Sequence, residues 1–350
     1  MKKIFSNMKI KLFLIGIILL LIALSSLYWY FAYHIKTPEY AWQMVQTSIE
    51  KHDIEKFNKY IDEKALVNKL SQDIIENMLI SRTAQQGDTR LVMQEYAGIF
   101  QEALGKKIDE AVNLYVKTGK WEKDTAQSQE QMSEDAALID NLGLNDIKVI
   151  DKKLVNIDEK AGKAIYKIDI QQTEIAQNFS FTVLMERQSN GVWKIVQINN
   201  FSEFLTLLNN HRRQYMHEYV EKTDALMQQH KKTFSDIQNQ LNAIISKNSI
   251  GSDAVRNDLK TIINTNMVPH WKMLKEALTA INAPKSASTL QKLRLRICDL
   301  YLEYYTNYSK WLDDKNIQTL RAANKALNQV KILESNENNL TNIVKKDILQ

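Results

Sequence analysis

The stretch FSFTVLMERQSNGVWKIVQINNFSEFLTLLNN, residues 179–210, carries the change of pattern that decides the fold. Up to Ile198 apolar residues alternate with polar ones, which is the period of a half-buried strand. Asn190-Gly191 divides this part into two strands, because that dipeptide favours a tight hairpin turn. After Asn200 the apolar residues recur every three or four positions, as they do in amphipathic helices. The pattern therefore predicts strands before Asn200 and helices after it.

Upstream of this stretch the alternation continues through two more strands, around residues 147–158 and 164–171, with a turn at Lys160-Ala161-Gly162. Helical periods precede these strands from residue 37 onward. The chain has only nine Gly and three Pro, which favours long regular elements. The predicted fold class is α+β: helices with a curved, antiparallel four-stranded sheet, then an all-α antiparallel helical bundle. The first part resembles the cystatin-like or nuclear-transport-factor-like roll, a fold that serves both enzymes and pure binders.

The N-terminus predicts a membrane anchor. No charged residue occurs from Leu12 to Tyr33, and 22 helical residues at about 1.5 Å each would cross the hydrocarbon core. A cleaved signal peptide is the alternative, but the apolar run continues past the small residues ALSS at 23–26. Four lysines precede the run within the first eleven residues, which predicts a cytoplasmic N-terminus. The expected location is the bacterial inner membrane, single-pass, with the bulk of the chain outside the cytoplasm.

These patterns divide the chain into three parts. Residues 1–35 are expected to form the basic tail and transmembrane helix, residues 36–200 the α+β domain, and residues 201–350 the helical bundle. The net charge is +5, and the four N-terminal lysines account for most of it. The rest is nearly neutral, so the charge does not predict a nucleic-acid partner.

The stretch TPEYAWQMVQTSIEKHDIEKFNKYIDEKALVNKL, residues 37–70, resembles a family of uncharacterised bacterial membrane-anchored proteins. In that family a Thr-Pro-x-Tyr helix follows a transmembrane segment, and two aspartates mark the next helix junctions. The matching residues are Thr37, Pro38, Tyr40, Asp53 and Asp62. The resemblance implies a location in the cell envelope and supplies no activity and no catalytic residues.

Within that stretch, EKHDIEKF at residues 50–57 could be a metal site, a catalytic cluster or a helix junction. Asp53 lies between two apolar periods, so it is predicted to cap the next helix, with Glu55 in the first turn. Glu50 and His52 are two residues apart and would lie on different helix faces. His52 is expected to be a junction residue without a required partner.

The sequence contains no recognisable motif for catalysis, for cofactor binding or for metal binding, and none of these functions is predicted. No two of the six histidines are four residues apart, and there is no glycine-rich phosphate loop. Cys298 is the only cysteine and lies in an apolar helical pattern, which predicts a buried thiol. His217 and Glu221 are four apart and are read as a helix-surface pair.

One surface for a ligand or partner is predicted, formed by Tyr301, Tyr305, Arg212 and Arg213. Aromatic rings can stack on sugars or peptides, and the arginines can contact an anionic lipid or polymer. The competing interpretation of the aromatic group is bundle core. In that interpretation Tyr304, Tyr308 and Trp311 form the inner stripe, because they keep helical spacing.

The sequence as a whole predicts a non-enzymatic binding or scaffolding protein of the cell envelope, with an unidentified envelope protein or polymer as its partner. Two alternatives stay open. One is an envelope enzyme with a pocket in the concave sheet, for which two or more carboxylates or a His-Asp pair within hydrogen-bond reach would be the sign. The other is an assembly subunit that self-associates through the long helix after Asn200.

Overall fold

The structure is a computed structural model that describes residues 19–26, 28, 30, 33–83, 87–121, 134–247 and 250–346. The chain forms two compact units, Met1–Leu208 and Asn209–Gln350. The division lies eight residues beyond the boundary that the change of period predicts. Each unit has its own core, and each is described by itself.

The predicted transmembrane helix from Leu12 to Tyr33 is not supported. Within the described part of the chain, no helix is long and apolar enough to cross a membrane. Residues 12–18, 27, 29, 31 and 32 of the predicted span lie outside the described residues.

Past Thr37, five α-helices precede the sheet in the part of the chain that the structure describes. Thr37 caps the first helix, because its Oγ1 accepts the N–H of Tyr40 at 3.1 Å, which confirms the predicted start. Gly119 follows the fourth helix with φ +70°, the left-handed conformation typical of a helix end. The five helices are α1 (Pro38–Glu50), α2 (Ile54–Tyr60), α3 (Glu63–Thr83), α4 (Gly87–Thr118) and α5 (Glu134–Asn141).

The sheet has four antiparallel strands in the order β1-β2-β3-β4, which confirms the prediction of an antiparallel four-stranded sheet in an α+β fold. Its register places Tyr166 opposite Val183 and Ile168 opposite Phe181. The alternation in the sequence therefore puts these apolar side chains on one face. The strands are β1 (Ile147–Asp158), β2 (Lys163–Gln172), β3 (Gln177–Arg187) and β4 (Trp193–Ile198).

That face packs against α1 and α2 to form the core of the first unit. Tyr166, Met185 and Trp193 from the sheet meet Val45 and Phe57 from the helices, and all five are at most 6% exposed. The indole N–H of Trp193 donates to the carbonyl of Lys36 at 2.9 Å, so the largest core side chain is also hydrogen-bonded.

The second unit consists of helices in its described residues. Long α6 begins in the first unit and continues into the second, and α9 and α10 are joined by Lys315 and Asn316 alone. A π-helical turn (Ile263–Met267) lies immediately before α8, near whose start Pro269 has no N–H to donate to the preceding turn. The helices are α6 (Phe201–Lys247), α7 (Asp253–Ile262), α8 (Val268–Ala280), α9 (Ser288–Asp314) and α10 (Ile317–Lys346).

The bundle core contains aromatic and charged groups together. Trp271 stacks on Tyr301 with ring centroids 3.9 Å apart, and both are buried. Arg294 on α9 donates to Glu337 on α10 at 2.7 Å, and both side chains are more than 90% buried. The Arg294 guanidinium also donates to Thr223 at 2.7 Å. These bonds leave the buried charges paired, which a low-dielectric core requires.

Candidate functional site

A groove opens between α3 and α4 in the first unit. Its volume is about 440 Å³, which lies within the range of ligand sites. Two glycines of α4 create the space. Gly98 has open space where a side chain would be, and a Cβ at Gly105 would lie 3.5 Å from Val67 of α3. The missing side chains let the helices approach at Gly105 and leave the groove open at Gly98.

Two carboxyl groups meet at one end of this groove. Glu63 is at the start of α3, and Asp109 is on α4. Three effects together raise the pKa of Glu63 to about 7. Burial is the largest, followed by a hydrogen bond with Asp109 and by the charge of Asp109. The Asn113 amide donates to Glu63 Oε1 at 2.7 Å and lowers the pKa, as does the nearby charge of Lys117. The Glu63 carboxyl therefore gains and loses its proton near neutral pH.

A pair of carboxyls with one shared proton can do two things. It can release the proton and accept a cation in its place, because two carboxylates in contact favour a positive charge between them. It can also exchange the proton with a bound molecule, which is general acid–base chemistry. The groove is open to solvent, so a ligand can reach the pair without any movement of the helices.

The sequence did not point to this site. Glu63 and Asp109 are far apart along the chain, and no short motif contains both. The one available signal was the pair Gly98 and Gly105 inside a predicted helix, since glycine in a helix interior is unfavourable and usually has a packing reason. The sequence could not show which carboxylates would line the groove beside these glycines, because that depends on how α3 packs against α4.

The stretch at residues 50–57 is a helix junction. Asp53 caps α2, because its Oδ1 accepts the N–H of Lys56 at 2.9 Å, which confirms the capping prediction. The expectation for His52 was wrong. Its Nδ1 lies 3.0 Å from the carbonyl oxygen of Val116, near the end of α4, so His52 has a specific partner.

The structure separates the residues of the predicted ligand surface. Tyr301 and Tyr305 are 5% and 3% exposed and lie in the bundle core, where the Tyr301 hydroxyl donates to Glu334 at 2.9 Å. Arg213 is exposed on α6, and Arg212 beside it is half-buried. A burial this complete leaves the two tyrosine rings no face for a ligand.

The aromatic stripe expected to be the inner one is also displaced. Tyr304, Tyr308 and Trp311 are half-buried rather than central, and their rings follow one another along the helix at 5.7 and 5.4 Å. The core face of α9 passes instead through Tyr301 and Tyr305. Both stripes have helical spacing, so the period alone could not distinguish them.

A small cavity of about 80 Å³ lies inside the bundle, where α6, α8, α9 and α10 meet. His230, Trp271, Arg294 and Cys298 line it. The Trp271 indole N–H is buried and has no acceptor among the described residues. Burial raises the pKa of the Cys298 thiol to about 12, which keeps the thiol protonated and unreactive.

Candidate metal ligands do not converge in the described residues, where no group of three or more His, Cys, Asp and Glu side chains could hold an ion. His217 and Glu221 make the expected helix-surface pair at 3.4 Å. Comparison with family models, with curated proteins and with solved structures finds no match for this chain.

Proposed function

We propose that this chain is a non-enzymatic binding or scaffolding protein of the bacterial cell envelope, and that the groove between α3 and α4 is its binding site. The observation that carries the proposal is the Glu63–Asp109 pair at the end of an open groove of about 440 Å³. The envelope location is part of the proposal and rests on the resemblance at residues 37–70.

The chemistry of the pair selects a ligand with a positive group. At pH values above about 7 the Glu63 carboxyl is ionised, and a bound amine or guanidinium could pair with this charge beside Asp109. Below that pH the ligand must displace the proton of Glu63 first. The apolar part of the groove, beside Val67, would hold a short aliphatic stem.

The first prediction is that a small amine binds in the groove more tightly as the pH rises. n-Butylamine stays charged throughout, and its affinity should be about tenfold higher at pH 8 than at pH 6, because Glu63 loses its proton between them. Chemical-shift titration of the protein measures both affinities. Sodium butyrate, with the same stem and the opposite charge, should not bind.

Two variants make this test specific. Glu63→Gln removes the titrating carboxyl and should abolish both the binding and its pH dependence. Glu102→Gln is the matched control, because Glu102 is exposed in the same groove and should leave the tenfold difference intact. Equal affinity of the native protein at the two pH values, or equal binding of butyrate and butylamine, would contradict the proposal.

The same pair supports a second candidate function, that of an acid–base enzyme. Two carboxyls that share a proton are an arrangement used in hydrolysis, and this pair lies within hydrogen-bond reach. It lies between two helices and not in the sheet pocket that the enzyme hypothesis expected. Binding is the preferred function, because an open groove leaves water in place and weakens the electrostatic effect on a reaction.

A further inference from the structure

The first strand, β1, is an edge of the sheet and has an unusually apolar exposed surface. It pairs with β2 on one side, and on its other side the structure describes no strand. Four of its aliphatic side chains are exposed, Val149 by 59%, Ile150 by 57%, Val155 by 57% and Ile157 by 39%. An edge strand with free backbone groups and exposed aliphatic side chains is a template for pairing with another chain.

Two β-bulges interrupt β1, one on each side of Lys152. The register with β2 shifts once between Val149 and Asp151 and again between Leu154 and Asn156. Each shift leaves one residue of β1 without a partner residue in β2, Ile150 in the first and Val155 in the second. The first of these residues lies two positions before Lys152 and the second three positions after it.

The bulges have a consequence for a partner strand. A regular strand laid along the outer edge would lose register at each bulge. A second copy of β1, antiparallel and centred on Lys152, would instead bring each bulged segment opposite the other, with Ile150 opposite Leu154 and Val155 opposite Val149 of the second copy.

The charges of β1 fit the same arrangement. Within the chain, β2 places Asp169 opposite Asp151 and Lys167 opposite Lys153, so like charges face each other across the two strands. In the symmetric pairing Asp151 would instead lie opposite Lys153 of the second copy, and Lys153 opposite Asp151 of the second copy. Asp151 and Lys153, which each face a residue of the same charge in β2, would then each face a residue of opposite charge in the second copy.

In the same pairing, apolar residues of one copy lie opposite apolar residues of the other, and Lys152 at the centre can be accommodated. Val149 would lie opposite Val155 of the second copy, and Ile147 opposite Ile157 of the second copy. Lys152 would meet Lys152 of the second copy at the two-fold axis. Its ammonium group donates to the Gln46 side chain on α1, which draws the charge away from the axis.

We propose that β1 pairs with β1 of a second copy of this chain, antiparallel and centred on Lys152, so that two four-stranded sheets become one. The interface is isologous, because the same strand serves both copies. It is a different surface from the groove and from the long helix α6. It adds self-association through the sheet to the binding function proposed above.

The second prediction tests the centre of the pairing with a cysteine. In the full chain, Lys152→Cys should form a disulfide with the same substituted position of a second copy under mild oxidation, because directly opposite Cβ atoms are about 4.5–5.5 Å apart. Asn156→Cys is the matched control, since two residues at that position would be eight positions, or about 27 Å, apart. The native Cys298 is buried and stays in both variants. A non-reducing gel should show a product of twice the mass for Lys152→Cys alone.

A charge exchange tests the register independently. In the Lys152→Cys background, Asp151→Lys places lysine opposite lysine and should reduce the covalent dimer at least fivefold. Adding Lys153→Asp restores opposite charges and should restore the dimer. Absence of the dimer in Lys152→Cys, equal dimer in Asn156→Cys, or no recovery in the double exchange would overturn the proposal. In the first case the edge is free for a strand of a different protein.

Discussion

At the scale of single residues, position 52 connects two helices that are distant in sequence. His52 follows α1 with φ +56°, and the next N–H, that of Asp53, donates back to Ser48 at 2.8 Å, which closes the helix end. Its imidazole bonds the carbonyl of Val116, one of the last four of α4, which have no partner within the helix. A carbonyl only accepts, so Nδ1 carries the proton.

The third prediction concerns this junction. Asp53→Ala should lower the free energy of unfolding by about 0.5–2 kcal/mol and Asp53→Asn by much less, because asparagine also caps. His52→Ala should cost about 1 kcal/mol, since it removes the bond to Val116 and keeps the strained φ. His52→Gly should cost less than His52→Ala, because glycine relieves that strain. Urea unfolding of the four variants measures these differences.

A chelator provides the comparison with a metal site. If Asp53 is a cap and His52 only bonds Val116, the melting curves should be the same with and without the chelator. If the chelator lowered the melting temperature of the native protein and had no effect on His52→Ala, a metal role would replace the structural one.

At the scale of elements, α6 and α8 meet through two histidines. His270 Nε2 and His230 Nδ1 are 2.7 Å apart, and the rings are parallel with centroids 4.7 Å apart. Burial, then the charges of His270 and Lys231, lower the pKa of His230 to about 3, and burial also lowers the pKa of His270. The two helices therefore pack through neutral imidazoles, which share a hydrogen bond.

The fourth prediction follows from these pKa directions. An imidazole in the unfolded chain binds a proton below about pH 6.5, whereas His230 in the folded chain stays neutral down to about pH 3. Unfolding therefore takes up protons in this window, and stability falls as the pH is lowered below 6.5. The expected loss is up to about 1.4 kcal/mol per pH unit for each such histidine. Urea unfolding at pH 7 and pH 5 measures it.

The matched pair of variants is His230→Gln and His217→Gln. Glutamine at position 230 can still bond His270 but does not titrate. The His230→Gln variant should therefore lose less stability between pH 7 and pH 5 than the native protein does. His217 is partly exposed on the same helix, in its pair with Glu221, so the change in pH dependence should be larger for the replacement of the buried His230 than for that of His217. The same slope in all three proteins would exclude His230 as the source.

At the scale of the whole molecule, the first unit extends beyond the end of its sheet. Four apolar residues of the first two turns of α6 are buried, and two of them, Phe201 and Phe204, contact the rings of Phe179 and Phe181. The four buried residues are Phe201, Phe204, Leu205 and Leu208. The start of the long helix therefore belongs to the core of the first unit.

The fifth prediction is that the fragment 34–208 folds cooperatively and that the fragment 34–200 does not. The shorter fragment loses the four buried side chains, each of which contributes about 1.5–3 kcal/mol. Thermal melting by circular dichroism compares the two fragments. Equal melting temperatures would favour the boundary at Asn200 that the change of period predicts.

The sequence by itself determined the local structure that short-range chemistry controls. The caps at Thr37 and Asp53 and the alternation of the strands follow from neighbours a few residues apart. For the same reason it correctly placed the change from strands to helices. Its prediction of a transmembrane helix from Leu12 to Tyr33 is not supported, because no helix among the described residues is long and apolar enough to cross a membrane.

Only the tertiary structure decided which groups meet. Glu63 meets Asp109, His52 meets Val116, and His230 meets His270 because helices distant in sequence pack side by side. The aromatic residues of α9 show the limit most directly. Two stripes share one period, and the helices that pack against α9 decided that Tyr301 and Tyr305 are buried while Tyr304 and Tyr308 are half-exposed. The period fixes the spacing of residues along a helix. Which side of the helix faces the core depends on the helices that pack against it.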